Sequence, residues 1–160
     1  MIRGINNSVF LLIILLSLQI SGCRNNILYT DSYSFTSVIW KLDNIAEFKP
    51  EISDTSSINN IYFTIRSGSA YPFRNIWLFV NTVSPSGKSM TDTLQYILAD
   101  EKGKWYGRGF GDVRELNLPF KTGIYFPEKG TYHIRIGHGM RTENLKGVYD
   151  IGLRIERLKK

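Results

Sequence analysis

The chain is poor in the residues from which most metal and catalytic sites are built. Its 160 residues include one cysteine, Cys23, and two histidines, His133 and His138. A single cysteine excludes an intramolecular disulfide and a cysteine-based metal cluster. The fourteen acidic residues are scattered, and no acidic run of the calcium-loop type occurs. We therefore expect no metal and no other cofactor.

The motifs of nucleophilic and phosphate chemistry are also missing. No serine lies in a G-x-S-x-G segment, so a Ser-His-Asp triad would depend on one of the two histidines. Gly87-Lys88-Ser89 resembles the end of a phosphate-binding loop, but Thr82 occupies the position of its first glycine. We expect a protein that is not an enzyme and has no small-molecule substrate.

The longest apolar run, residues 9–18, lies at the N-terminus behind Arg3 and is too short to span a bilayer comfortably. A basic start, a short apolar core and small residues after it are typical of a secretory signal peptide. Residues 20–23 read Ile-Ser-Gly-Cys, which resembles the lipobox of bacterial lipoproteins. We therefore expect a signal peptide over 1–22 and a lipid on Cys23, which anchors the protein to a membrane without spanning it.

The formal charge of +6 would favour a nucleic-acid partner in a cytoplasmic protein, but the export signal argues against that partner.

Residues 24–36 are polar and aromatic without strong periodicity, and we interpret 23–36 as the lipidated cysteine and its tether. No linker or repeat divides residues 37–160, so they are expected to form one domain.

Patterns after Cys23 favour strands over helices. Residues 61–65, 132–136 and 151–155 alternate between apolar and polar side chains, as half-buried strands do. Residues 75–83 are apolar on both faces, which predicts a central strand covered on each side. Weaker patterns predict further strands near residues 45–52, 93–98, 104–113 and 119–126. The fold expected is all-β, a single β-sandwich of the jelly-roll or immunoglobulin-like type.

The segment 104–113 is the least ordinary part of the sequence. With a period of two, one face of the predicted strand carries Trp105, Gly107, Gly109 and Gly111. The other face carries Tyr106, Arg108, Phe110 and Asp112. Glycines in a strand cost entropy, so the pattern favours a site where a backbone, a ring or a partner lies close. A turn at residues 100–103 predicts that 93–98 and 104–113 pair as a hairpin.

The text TDTL-Y-AD--GKW-G-GFGD in residues 91–112, with Tyr71-Pro72 and residues 78–80 before it, resembles the GldH family of gliding-motility lipoproteins of the Bacteroidota. The resemblance extends over essentially the whole chain. It implies a non-catalytic lipoprotein of the cell envelope, anchored in the outer membrane and facing the periplasm. It also implies partners among other gliding-motility lipoproteins or the type IX secretion machinery.

The same motif defines the candidate site. We expect an interaction surface formed by Trp105, Tyr106, Arg108, Phe110 and Asp112. The glycines expected to define the fold beneath it are Gly103, Gly107, Gly109 and Gly111. An alternative is a periplasmic glycan-binding module that stacks Trp105 and Tyr106, with Arg108 beside them, against peptidoglycan or another polysaccharide.

Overall fold

The computed structural model describes residues 26–158 of the chain. The signal peptide over 1–22 and the lipidated Cys23 lie outside the described residues and remain predictions. Within 26–158, no helix is both long and apolar enough to cross a membrane. The helical structure in that range is a 3-10 turn at Thr36–Val38.

The all-β prediction is confirmed for residues 26–158. The strands are β1 (Ile27–Ser34), β2 (Ile39–Lys41), β3 (Ala46–Phe48), β4 (Glu51–Ile52), β5 (Asn59–Ser67), β6 (Asn75–Val83), β7 (Ser89–Ile97), β8 (Arg114–Ile124), β9 (Gly130–Thr131), β10 (His133–His138), β11 (Asn144–Lys146) and β12 (Val148–Arg157).

These strands form two four-stranded antiparallel sheets and two short ribbons. The first sheet has the order β1-β12-β5-β8, and the second has the order β3-β10-β6-β7. The ribbons pair β2 with β11 and β4 with β9. The described chain is therefore divided into several sheets, and the single sandwich remains a prediction.

The inward side chains of the two large sheets belong to one hydrophobic cluster. In β5, Ile61, Phe63 and Ile65 are buried, as the alternation predicted, and they join Leu78 and Val80 of β6 in this cluster. Burying one such side chain stabilises the folded state by about 1.5–3 kcal/mol. The alternating pattern thus sets which face of each strand turns towards the core.

The prediction that β6 is covered on both faces is wrong. Its inward side chains are buried, but Trp77 is 38% and Phe79 is 49% exposed on the other face. The aromatic ring of Phe79 lies over Gly139, where an added Cβ would come within 2.9 Å of it. The absence of a side chain at Gly139 lets the ring lie on the sheet, so apolar character on both faces does not require a second covering layer.

The tether predicted over 23–36 is too long, because residues 27–34 form β1. This strand pairs with β12 from Ile27 opposite Glu156 to Ser34 opposite Asp150. Its side chains are mostly exposed on both faces, so the sequence shows no apolar alternation from which this strand could be predicted. The backbone hydrogen bonds along the edge of β12 hold it in the sheet.

The first sheet has two distinct ends. At one end, Ile27 lies opposite Glu156, Glu156 opposite Asn60, and the neighbouring Asn59 opposite Ile124. We call this the N-terminal end, and the opposite one, where β8 begins at Arg114, the distal end. The 11 residues of β8 separate the two by roughly 35 Å at the usual rise of a strand.

His138 lies at the buried end of β10. Its ring is 5.5 Å from the ring of Trp40 in an edge-on arrangement. Burial lowers the pKa of the His138 imidazole, and the neighbouring backbone of Trp40 opposes the shift only in part. The neutral histidine is therefore a core residue.

This burial predicts a loss of stability in mild acid. Below the usual histidine pKa of about 6.5, the unfolded chain takes up a proton that folded His138 resists, so the free energy of unfolding falls with the pH. Urea denaturation at pH 7.5 and pH 5.5 measures this fall. The His138→Phe variant should show a smaller fall than the wild type, and equal falls in the two proteins would contradict the assignment.

Candidate interaction site

Residues 98–113, which we call the β7–β8 loop, connect the two large sheets at the distal end. The strand predicted at 104–113 is wrong, because these residues lie between β7 and β8. The predicted pairing with 93–98 is also wrong: β7 pairs with β6, and one hydrogen bond joins the Tyr106 N–H to the Leu98 carbonyl oxygen. Two isolated bridges are found in place of the predicted ladder, Ala99 with Trp105 and Arg108 with Glu115. The loop therefore turns twice before β8 begins.

The first of these turns was predicted correctly at residues 100–103. The Gly103 N–H donates to the Asp100 carbonyl oxygen at 3.1 Å. The Asp100 carboxylate accepts from the N–H groups of Lys102 and Lys104 at 2.9 and 2.8 Å. Gly103 has φ = +79°, a conformation that favours glycine. This turn reverses the chain towards β8.

The next glycines pack against the beginning of β8. Arg108 and Glu115 exchange both backbone hydrogen bonds, at 3.0 and 2.7 Å. A Cβ at Gly107 would come within 2.7 Å of the Glu115 carbonyl oxygen, and one at Gly109 would overlap the Val113 carbonyl oxygen. The missing side chains permit this close backbone approach, which explains why the period-two pattern did not produce a strand.

Phe110 lies at the tip of the loop and is 97% exposed. The chain bends at Gly111, with φ = +60°, and the Arg114 guanidinium donates to the Gly111 carbonyl oxygen at 2.7 Å. The Asp112 carboxylate accepts from the Ser69 N–H at 2.9 Å, and hydrogen bonding to Ser69 lowers the pKa of Asp112. The backbone directly after the exposed ring is thus held by hydrogen bonds, while the ring itself points into solvent.

The predicted surface residues do not all play the same part. Trp105 is half-buried, and its ring packs edge-on against Tyr71 at 5.8 Å. The Tyr71 hydroxyl donates to the Asn75 carbonyl oxygen at 2.8 Å, which ties this aromatic pair to β6. Tyr106 is 61% exposed and Arg108 is also exposed. Trp105 therefore supports the loop, while its neighbours face solvent.

A depression of about 780 Å³ lies between the loop and the outer face of the first sheet. Its lining includes Arg66, Tyr106, Arg108, Phe110, Glu115 and Asn117. Arg66 and Asn117 were not predicted, because they come from β5 and β8 and only strand pairing brings them beside the loop. Aromatic and arginine side chains around a groove are groups that protein interfaces favour.

The described residues offer no cluster of three or more histidine, cysteine, aspartate or glutamate side chains that could hold a metal ion. The groups that the loop does present are a phenol, a guanidinium and a phenyl ring. These groups bind by hydrogen bonding, charge and apolar contact.

Comparisons with known proteins agree on one class, the lipoproteins of gliding motility. A protein of Christiangramia forsetii described as a gliding motility lipoprotein GldH homolog is 32% identical over 157 residues, covering 94% of this chain and 95% of its own length. The gliding motility lipoprotein GldH of Flavobacterium johnsoniae is 33% identical over 133 residues, covering 79% of this chain and 82% of its own.

The GldH lipoprotein family profile matches residues 27–155, nearly the whole described range. The chain belongs to the GldH lipoprotein family. No solved structure matches it.

The packing of the loop predicts unequal costs for two glycine substitutions. Gly109→Ala should lower the free energy of unfolding by about 3 kcal/mol, because its methyl group would overlap the Val113 carbonyl oxygen. Gly103→Ala should cost about 1 kcal/mol, because its surroundings are open and only its positive φ is unfavourable. Chemical denaturation measures both values, and equal small costs would contradict the packing of Gly109 on β8.

Proposed function

We propose that this protein is a lipid-anchored lipoprotein of the cell envelope that serves gliding motility through protein contacts, with the β7–β8 loop as its contact surface. The observation that carries the proposal is Phe110, a large apolar side chain that is 97% exposed next to hydrogen-bonded residues. A large exposed ring on a bonded backbone is a suitable anchor for a pocket on a partner, because binding removes its apolar surface from water.

The position of the loop supports this proposal. Cys23 precedes Asn26 by three residues, a span of about 10 Å at most. A lipid on Cys23 would keep the N-terminal end of the first sheet close to the membrane, whereas the loop lies at the distal end. Tethering raises the local concentration of the loop around partners in the same envelope.

The rest of the proposal follows from the family. We infer a non-catalytic role, an anchor in the outer membrane and a domain that faces the periplasm. The partners inferred are other gliding-motility lipoproteins or proteins of the type IX secretion machinery. Support comes from the two relatives, whose names associate them with gliding motility and with lipoproteins.

Phe110→Ala tests the contact surface. Because the ring is almost fully exposed, its removal should leave the free energy of unfolding unchanged while it weakens partner binding about tenfold or more, as loss of an interface anchor does. The measurement is crosslinking in living cells with a tagged chromosomal copy, followed by quantitative mass spectrometry of captured envelope proteins.

Two further variants separate the parts of the proposal. Leu42→Ala removes another exposed apolar side chain outside the loop and should leave capture unchanged. Cys23→Ser should move the protein from the membrane fraction to the soluble fraction. Undiminished capture by Phe110→Ala would contradict the contact surface, and a Cys23→Ser protein that stayed in the membrane would contradict the lipid anchor.

A second candidate function is glycan binding, which a different surface favours. Trp77 and Phe79 are exposed on the outer face of the second sheet, beside a depression of about 470 Å³. Phe73, Thr93 and Arg141 also line it. Aromatic rings next to hydroxyl and guanidinium groups are suitable for stacking and hydrogen bonding with a sugar. Unlike the surface inferred from the sequence, this one does not involve Trp105.

Retention on insoluble polysaccharide distinguishes the two aromatic surfaces. If the outer face binds glycan, Trp77→Ala should lower retention on purified peptidoglycan about tenfold, because the stacking platform is lost. The matched variant Tyr106→Ala removes an exposed ring from the loop and should retain wild-type binding. Equal retention by wild type and Trp77→Ala would eliminate this candidate.

A further inference from the structure

The two large sheets separate at the N-terminal end and leave an open cavity between their edge strands. Two contacts hold these edges together farther along the sheets. The Tyr96 hydroxyl of β7 donates to the Pro119 carbonyl oxygen of β8 at 2.8 Å. The Lys121 ammonium lies 3.0 Å from the Asp92 carboxylate. Beyond this ion pair the cavity has a volume of about 450 Å³.

The walls of the cavity are mostly apolar. They include Ile61, Phe120, Ile124, Phe126, Tyr132 and Ile134. Met90 and Tyr125, both exposed, also line the cavity and mark where it opens to solvent. The volume lies within the range of about 300–1,000 Å³ that is usual for small-molecule sites. Such a space favours an apolar ligand.

Polar groups lie at the border of this apolar space. Lys88, Lys121 and Glu128 contribute to the lining. The Lys121 ammonium is paired with Asp92, whereas the Lys88 ammonium is highly exposed and lies 3.9 Å from the Glu128 carboxylate. The hydroxyl of Thr82, which lines the cavity, is buried without a hydrogen-bond partner among residues 26–158. Buried polar atoms usually have partners, so this hydroxyl is available to the polar part of a ligand. The exposed and loosely paired Lys88, with Lys121 nearby, suits a negatively charged group such as a phosphate.

The cavity lies near the proposed membrane anchor. Its lining residue Ile124 pairs with Asn59 in the end row of the first sheet, the same end at which β1 begins with Ile27. Cys23 is only three residues before Asn26, so a lipid on Cys23 would hold this end of the sheet against the headgroups. The opposite end of the sheet would face away.

We propose that this cavity takes up one acyl chain of a phospholipid from the membrane to which the protein is anchored. The chain fills the apolar space, and the phosphate lies by Lys88 and Lys121. This inference rests on the proposed lipid anchor, but not on the proposed partner contacts of Phe110. Uptake of the chain provides a second point of attachment, which orients the domain so that the β7–β8 loop points away from the membrane.

Photolabelling of the full lipidated protein tests this site directly. The protein is reconstituted in phosphatidylethanolamine–phosphatidylglycerol vesicles that contain a phospholipid with a diazirine near the end of one acyl chain. After irradiation, mass spectrometry of the peptides should find adducts on the cavity wall, at Phe120, Ile124 or Phe126. Adducts confined to residues outside the cavity would overturn the proposal.

A pair of variants on β7 provides the matched control. Met90→Trp places a bulky ring in the cavity and should reduce wall labelling at least about fivefold by steric exclusion. Thr91→Trp places the same ring on the opposite face of the same strand and should leave labelling unchanged. Wall labelling that Met90→Trp does not reduce would overturn the proposal, provided both variants unfold at the wild-type denaturant concentration.

The source of the acyl chain is tested with Cys23→Ser protein mixed with the same vesicles. Wall labelling should fall, because the unanchored protein leaves the membrane. An increase would show that the protein's own lipid had occupied the cavity, which would overturn the assignment to a membrane phospholipid. Phe110→Ala should keep wild-type labelling of the cavity wall whatever its effect on partner capture. The experiment therefore distinguishes an error in the proposed contact surface from an error in the proposed lipid site.

Discussion

The structure depends on the hydrophobic core that the two four-stranded sheets share. Side chains from β5, β8 and β12 of the first sheet and from β3, β6 and β10 of the second join in one buried cluster. This burial is the main favourable term that opposes the loss of chain entropy on folding. Where the core ends, the sheets either are closed by polar contacts, such as Asp92 with Lys121, or separate. The cavity at the N-terminal end is thus a consequence of where the core stops.

Large exposed rings are supported in two places by glycines with different physical roles. At the distal end, Gly107 and Gly109 allow the backbone to lie on β8 and so position Phe110 in solvent. On the second sheet, Gly139 leaves room for the ring of Phe79. In both places a missing side chain creates the space that a neighbouring group needs. The close packing of the β7–β8 loop explains the glycines in the motif at residues 103–112 better than the predicted strand does.

Much of the fold could be predicted because alternation is a local property. The strands β5, β10 and β12 were recognised from buried residues such as Ile61 and Ile155, which recur at every second position. β1 was missed since most of its side chains are exposed, Tyr29 and Tyr33 being half-buried, and its main link to the sheet is its backbone pairing with β12. The prediction of a strand at 104–113 was wrong because glycine has no side chain, so the glycines at alternate positions carried no information about a buried or an exposed face. Of the candidate site, exposure of Tyr106 and Phe110 agrees with the expected surface, whereas Trp105 packs on Tyr71.

The sequence by itself determined the all-β class and, through its motif text, the family to which the chain belongs. Only the tertiary structure decided which groups share a site. Arg66 lies beside the β7–β8 loop, and Ile61 lies in the same cavity wall as Ile124, because antiparallel pairing joins β5 to β8. The physical reason is that a strand's own periodicity encodes which side is apolar, while its neighbour and register depend on the packing of the whole chain.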